Sequence, residues 1–237
     1  MVINQNASIG DILFCEPIFR HFFLKNKEKP IVPLRDHLMW LADYIDSATF
    51  VPMSEFSLDY DSIETENTDY LPLRFANQIV RNLDKSDHSD YSNTMPDKYE
   101  LAKLPLELWT ELKINFNFDK ARELCMKLNV DGKEKYILVN NHSQAGDINI
   151  IPKNENNYKV VYMENIPGYT LIDWCMVMLY AEENHHISTS TLYLLQAIKN
   201  KYSTLFASKI FLYPRPNEDG LQGISKLNPT FEYTLCK

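Results

Sequence analysis

Apolar residues in this chain come as short runs set between longer stretches of helical spacing, which predicts strands alternating with helices. Met1, Val2 and Ile3 predict a first strand, followed by a strongly apolar helix that opens around Ser8 to Asp11 and ends in the basic run at 25–29. Residues 30–34, flanked by prolines, read as a buried strand. Leu38, Leu41 and Ile45 give 35–45 the spacing of an amphipathic helix, and 49–52 reads as the next strand. An acidic, weakly patterned strand is expected over 59–66. A polar surface loop rich in Asp, Ser and Asn is expected over 84–97. Helices follow at 106–112 and 118–128, the second with Ala121, Leu124, Cys125 and Leu128 on one face. The turn at 129–133 is the expected boundary between two domains, 1–130 and 131–237.

The rhythm then restarts. Strands are expected at 136–140, 159–163, 185–188 and 209–213, and helices at 170–182 and 189–201. The first of these helices carries Thr170 as its cap with Asp173 three residues on, and is apolar nearly all round, so it should be buried. In the tail, Phe231, Tyr233 and Leu235 alternate, which predicts an extended segment packing back across the domains.

Composition narrows the function. With 237 residues, 45% of them hydrophobic and 24% charged, the chain can bury a core. A formal net charge of −8 argues against nucleic acid as a partner. The absence of any run of about 18 apolar residues argues against a membrane span, and the start lacks signal-peptide features, so a soluble, cytoplasmic protein is expected. Cys15, Cys125, Cys175 and Cys236 are far apart and read as free thiols. The one histidine pair, His185 and His186, is adjacent and does not readily face one ion, so no structural metal is expected. None of the six glycines forms a dinucleotide fingerprint or a P-loop.

Two junctions carry candidate chemistry. At the first, Asp11 stands at the turn from strand to helix, where open α/β sheets gather substrates. The alternative is structural: Ser8 as N-cap and Asp11 complementing the helix dipole. At the second, Ser188, Thr189, Ser190 and Thr191 open a helix. Hydroxyls and unpaired amides at a helix start suit a diphosphate, although one hydroxyl there could simply be a cap.

The run Gly10, Asp11, Ile12, Leu13, with Pro17 six residues after the aspartate, resembles the opening motif of the lipopolysaccharide heptosyltransferase family. The resemblance implies that Asp11 is a catalytic base, and Ser8 and Gly10 beside it are expected to touch the acceptor. The stretch 173–198 is similar to the donor-binding part of the same GT-B glycosyltransferases. Ser188, Thr189 and Ser190 stand where the family has Asp-Thr-Gly, and Tyr193 where it has His. By position, Asn141, His142, Ser143 and Gln144 would contact donor phosphates and Glu164 would hold the nucleoside, with Asn165 and Ile166 beside it.

Together these readings imply an α/β protein of two Rossmann-like domains facing across a cleft. The expected function is transfer of a sugar from a nucleotide-sugar to a hydroxyl of a glycan acceptor, inverting, without metal or other cofactor. Two alternatives stay open. One is a metal-dependent GT-A enzyme using Asp59 and Asp61 in an Asp-x-Asp motif. The other is a non-catalytic protein of the same fold that binds carbohydrate or nucleotide.

Overall fold

A computed structural model describes residues 1–5, 8–56, 69–81, 94–130, 134–143, 146–216 and 227–236. The chain divides into two compact units, Met1–Asn115 and Phe116–Lys237. The division lies ahead of the turn expected at 129–133, whose residues 131–133 fall outside the described set. The intervening helix α4 (Phe118–Lys127) buries Ala121, Leu124 and Cys125 and packs on the second unit's helix α5 (Cys175–Tyr180), which assigns it to that unit.

The first unit holds a parallel sheet of β1 (Val2–Ile3), β2 (Ile31–Leu34), β3 (Thr49–Pro52) and β4 (Tyr70–Leu71), in the order β3-β2-β1-β4. Helix α1 (Ile9–Asn26) buries its amino-terminal half, from Gly10 to Phe19 apart from Asp11. The expected helix over 35–45 forms as a 3-10 helix, Asp36–Asp43. Its buried residues Leu38 and Leu41 are three apart, the interval that a three-residue turn stacks on one face. The strand expected at 59–66 lies outside the described residues, as do residues 84–93 of the expected surface loop. The end of that loop is instead helical. Helix α3 (Thr94–Leu101) carries Pro96 in its first turn, where a missing N–H costs nothing. Helix α2 (Ala76–Arg81) lies against α3.

The second unit is a parallel sheet of β5 (Tyr136–Asn140), β6 (Lys159–Tyr162), β7 (Glu183–Ile187), β8 (Lys209–Tyr213) and β9 (Thr234–Leu235), in the order β6-β5-β7-β8-β9. Thr170 and Asp173 form the expected capping box, through a 3-10 turn Leu171–Trp174 that leads into α5. Helix α6 (Ser190–Lys201) follows β7. The crossover from β5 to β6 contains no helix among its described residues. Its Ile150 packs on Ile137, Val139 and Ile187 and covers one sheet face in place of a helix. The tail ends extended, with Phe231 buried and β9 paired to β8. Backbone and side-chain bonds between Thr230 and Gln196 secure it on α6.

Among the described residues both sheets are parallel throughout, and the strand order reverses at β1 against β4 in the first and at β5 against β7 in the second. Ligands of open α/β sheets bind at the carboxyl ends of strands at such points.

Candidate functional site

In the first unit, α1 starts at the reversal point. The Ser8 hydroxyl accepts from the Asp11 amide, while the Asp11 carboxylate accepts from the Ser8 amide at 3.2 Å and the Ser8 hydroxyl at 2.7 Å. This reciprocal cap is the structural alternative drawn from the sequence, and it is present. It occupies Asp11 Oδ2 only. Oδ1 meets the ammonium of Lys98, which α3 delivers at 1% side-chain exposure against 21% for Asp11. Burial alone would push the Asp11 carboxyl up, but the Lys98 charge and the hydrogen bonds from Lys98 and Ser8 hold it below its ordinary range. Asp11 is therefore a carboxylate at neutral pH, partly open to solvent. Gly10 is buried in the same turn and Ser8 is half-buried. Fully buried Gln5 and Cys15 lie alongside, and burial pushes the Cys15 thiol up to about 12.

In the second unit, the ends of β5 and β7 are joined by side chains. Asn140 donates to the Thr189 hydroxyl at 3.3 Å, and the Thr189 and Thr191 hydroxyls are 3.2 Å apart. Thr191 turns inward at 2% exposure, whereas Ser188, Thr189 and Ser190 are half-buried. Thr189 is the N-cap of α6, yet no side chain makes a cap hydrogen bond there. Arg215, just past β8, donates to the Ser188 carbonyl at 2.5 Å and adds a cation to this junction.

A cavity of about 490 Å³ opens between the ends of β5 and β6, lined by Asn140, His142, Glu164, Asn165, Tyr169 and Trp174 among others. His142 and Glu164 therefore share one cavity, while Asn140 belongs both to it and to the hydroxyl cluster. His142 pairs with Asp147 at 2.9 Å. The Ser143 hydroxyl closes its own turn on the Gly146 carbonyl at 2.6 Å, and Asn141 is half-buried beside it. Gln144 lies outside the described residues, as do Asp59 and Asp61. Asp173 serves the helix cap and an ion pair with Lys120 at 3.2 Å.

The adjacent histidines point to opposite faces of β7. His185 stacks on Phe211 and bonds Tyr213 at 2.9 Å and Glu183 at 3.2 Å. His186 is fully buried against Asn184, and burial, with His185 nearby, drives its pKa down to about 3. Among the described residues no group of three or more His, Cys, Asp or Glu is placed to hold a metal ion. The four cysteines are free.

Lys98, Asn140, Arg215 and Trp174 were not singled out as site residues by sequence. A basic residue two positions past the strand 209–213 is the signal that could have found Arg215. Lys98 gave none, because its role comes from a contact across 87 positions.

No family model matches the sequence, and no curated protein does. Solved structures do. The glycosyl transferase family 9 structure from Veillonella parvula DSM 2008 aligns with a TM-score of 0.55 at 10% identity, covering 99% of this chain and 86% of that one. The E. coli heptosyltransferase WaaC with ADP-2-deoxy-2-fluoro heptose aligns at 0.48 and 10% identity, covering 100% and 92%. The chain thus has the α/β fold of a family 9 glycosyltransferase structure, two parallel Rossmann-like sheets, as the Gly10–Leu13 motif implied. No helix among the described residues is long and apolar enough to cross a membrane.

Proposed function

We propose that the protein transfers a sugar from a nucleotide-sugar to a hydroxyl of a glycan acceptor, with inversion and without a metal. The observation that carries this reading is the start of α6: a twelve-residue helix with no side-chain cap, bearing hydroxyls, at the reversal point of a parallel sheet and tied through Asn140 to a cavity of about 490 Å³. Helix-start amides that no side chain caps, together with the positive end of the helix dipole, favour an anion.

In this reading Ser188, Thr189, Ser190 and Arg215 hold the diphosphate. Thr191 supports Thr189 from within. Trp174 and Tyr169 offer apolar surface to a nucleoside, and Glu164 accepts from its hydroxyls. His142, Asn141 and Ser143 border the phosphates. On the first unit, Asp11 takes the acceptor proton as the acceptor oxygen forms its bond to the anomeric carbon, and the nucleoside diphosphate leaves with the electron pair of the broken bond. Ser8 and Gly10 border the acceptor. Amide and hydroxyl donors and Arg215 supply the stabilisation that a metal would otherwise give, and a cytoplasmic setting belongs to the same reading.

Calorimetric titration with nucleoside diphosphates, followed by transfer assays on a panel of nucleotide-sugars, tests it. Saturable binding that weakens in Ser190→Ala, together with turnover of one donor, is expected. Absence of binding to any nucleotide of the panel would overturn the reading.

A further inference from the structure

A carboxylate that works as a base has to stay ionised, and Asp11 is placed where burial works against that. Among the described residues, three elements contribute to its surroundings. From α1 come the Ser8 donors and the buried Cys15 thiol; from the end of β1 comes the neutral Gln5 amide; from α3 comes Lys98. Asp97, next to Lys98 on α3, is engaged by Arg81 at 2.9 Å. On the 3-10 helix Leu106–Glu111, Glu111 is drawn to Arg20 further along α1. Among the described residues Lys98 is thus the cation that faces Asp11, and Asp11 is its counter-ion.

The placement of Lys98 is fixed by its neighbour. Tyr99 donates its hydroxyl to the Phe14 carbonyl at 2.9 Å and sets its ring edge-on to Phe14 at 5.0 Å, which locks α3 on α1 one turn from Asp11. An ammonium with 1% exposure is costly to bury and is kept only against a partner. The capping box reaches Oδ2 alone, so it does not explain why Oδ1 is paired with a buried cation.

We propose that Lys98 is a positioning residue for Asp11: it keeps the carboxylate ionised and fixes its Oδ1 while Ser8 holds Oδ2, so that the solvent-facing edge of the carboxylate has one orientation toward an incoming proton. The role rests on the glycosyl-transfer reading, but the contact can be tested without any substrate. Lys98 forms no bond to sugar or nucleotide and takes no proton in the reaction.

The test follows the Asp11 side-chain carboxyl by carbon-13 NMR over pH 2–8 in the native protein, Lys98→Met and Lys98→Arg, with Asp11→Asn assigning the signal. Lys98→Met should move the Asp11 midpoint up by at least one pH unit, and Lys98→Arg should return most of that shift. An unchanged midpoint in folded Lys98→Met overturns the proposal, since a merely structural lysine would lower the melting temperature and leave the titration in place. If Lys98→Met does not fold, the double variant Asp11→Asn/Lys98→Met decides. It should melt above Lys98→Met alone, because both members of the pair are then neutral. A double variant no more stable than the single overturns the proposal too. In the transfer assay, Lys98→Met should lower kcat with KM for the donor little changed, and move the acid limb of the kcat profile up by the same one unit or more. Failure of the native protein to transfer any sugar would refute the functional reading and leave the NMR and melting results standing.

Discussion

The two strand-to-helix junctions solve one problem in opposite ways. Each places a helix start at the reversal point of a parallel sheet, where the first amides lack the carbonyl partners that the rest of a helix supplies. Helix α1 carries its own anion: Asp11 sits on the first turn, bonded to Ser8 and paired with Lys98. Helix α6 carries none, and hydroxyls stand where a carboxylate could have been. A helix start that is already filled is suited to handling a proton, and one left unfilled is suited to receiving an oxyanion. The same local geometry thereby supports two roles, separated by the charge of one residue.

The largest effect that could break this comparison is on turnover. Asp11→Asn should cost about 10²- to 10⁴-fold in kcat, with nucleoside diphosphate affinity unchanged by calorimetry. Native turnover in the variant would reduce Asp11 to a cap.

Acid should separate the two units next. His186 has a folded pKa of about 3, below its unfolded value near 6.5, so the unfolded chain binds more protons between those limits. Stability of the second unit should therefore fall by roughly 2 kcal/mol from pH 6 to pH 4. Asp11, also lowered, contributes stability that is present above the ordinary carboxylate value and lost only as pH drops through its own lower one. Hydrogen exchange read peptide by peptide should show the second unit loosening first, and His186→Gln should flatten its profile. On α1 the buried Glu16 runs the other way: burial raises it despite Arg20, so it subtracts stability as pH rises past the normal carboxylate range.

Smaller effects sharpen the contrast. Thr189→Val combined with Ser190→Ala should weaken nucleoside diphosphate binding about 5- to 30-fold, the size of one or two lost hydrogen bonds. Ser8→Ala should destabilise by about 1 kcal/mol in denaturant unfolding, as loss of an N-cap does. Ser190→Ala alone should leave unfolding unchanged within error, because its hydroxyl caps nothing. EDTA should change nothing in the transfer assay. Loss of activity on chelation would mean that a metal, not α6, holds the diphosphate.

The sequence made one junction far more legible than the other. Asp11, its cap and the strand before it are consecutive, and local chemistry writes such features plainly. Strands 136–140 and 209–213 were equally readable, since buried parallel strands are continuous apolar runs. By contrast, β4 has two residues, too short for any periodicity, and α3 hid in a polar stretch that buries Asp97 and Lys98 along with Tyr99. Both were invisible because tertiary pairing, not pattern, decides them. The bond from Asn140 to Thr189 was hidden for the same reason, although both neighbourhoods had been marked separately.

The strand β9 has a practical reach beyond the site. It is only two residues long, yet it lies along β8 and gives that strand a neighbour on its outer side. Trimming residues 227–237 would strip β8 of this cover and offer its amides and carbonyls to any passing chain. Such a shortened protein should self-associate as it is concentrated, so an affinity handle added at the carboxyl end needs a spacer that leaves Thr234 and Leu235 free to dock.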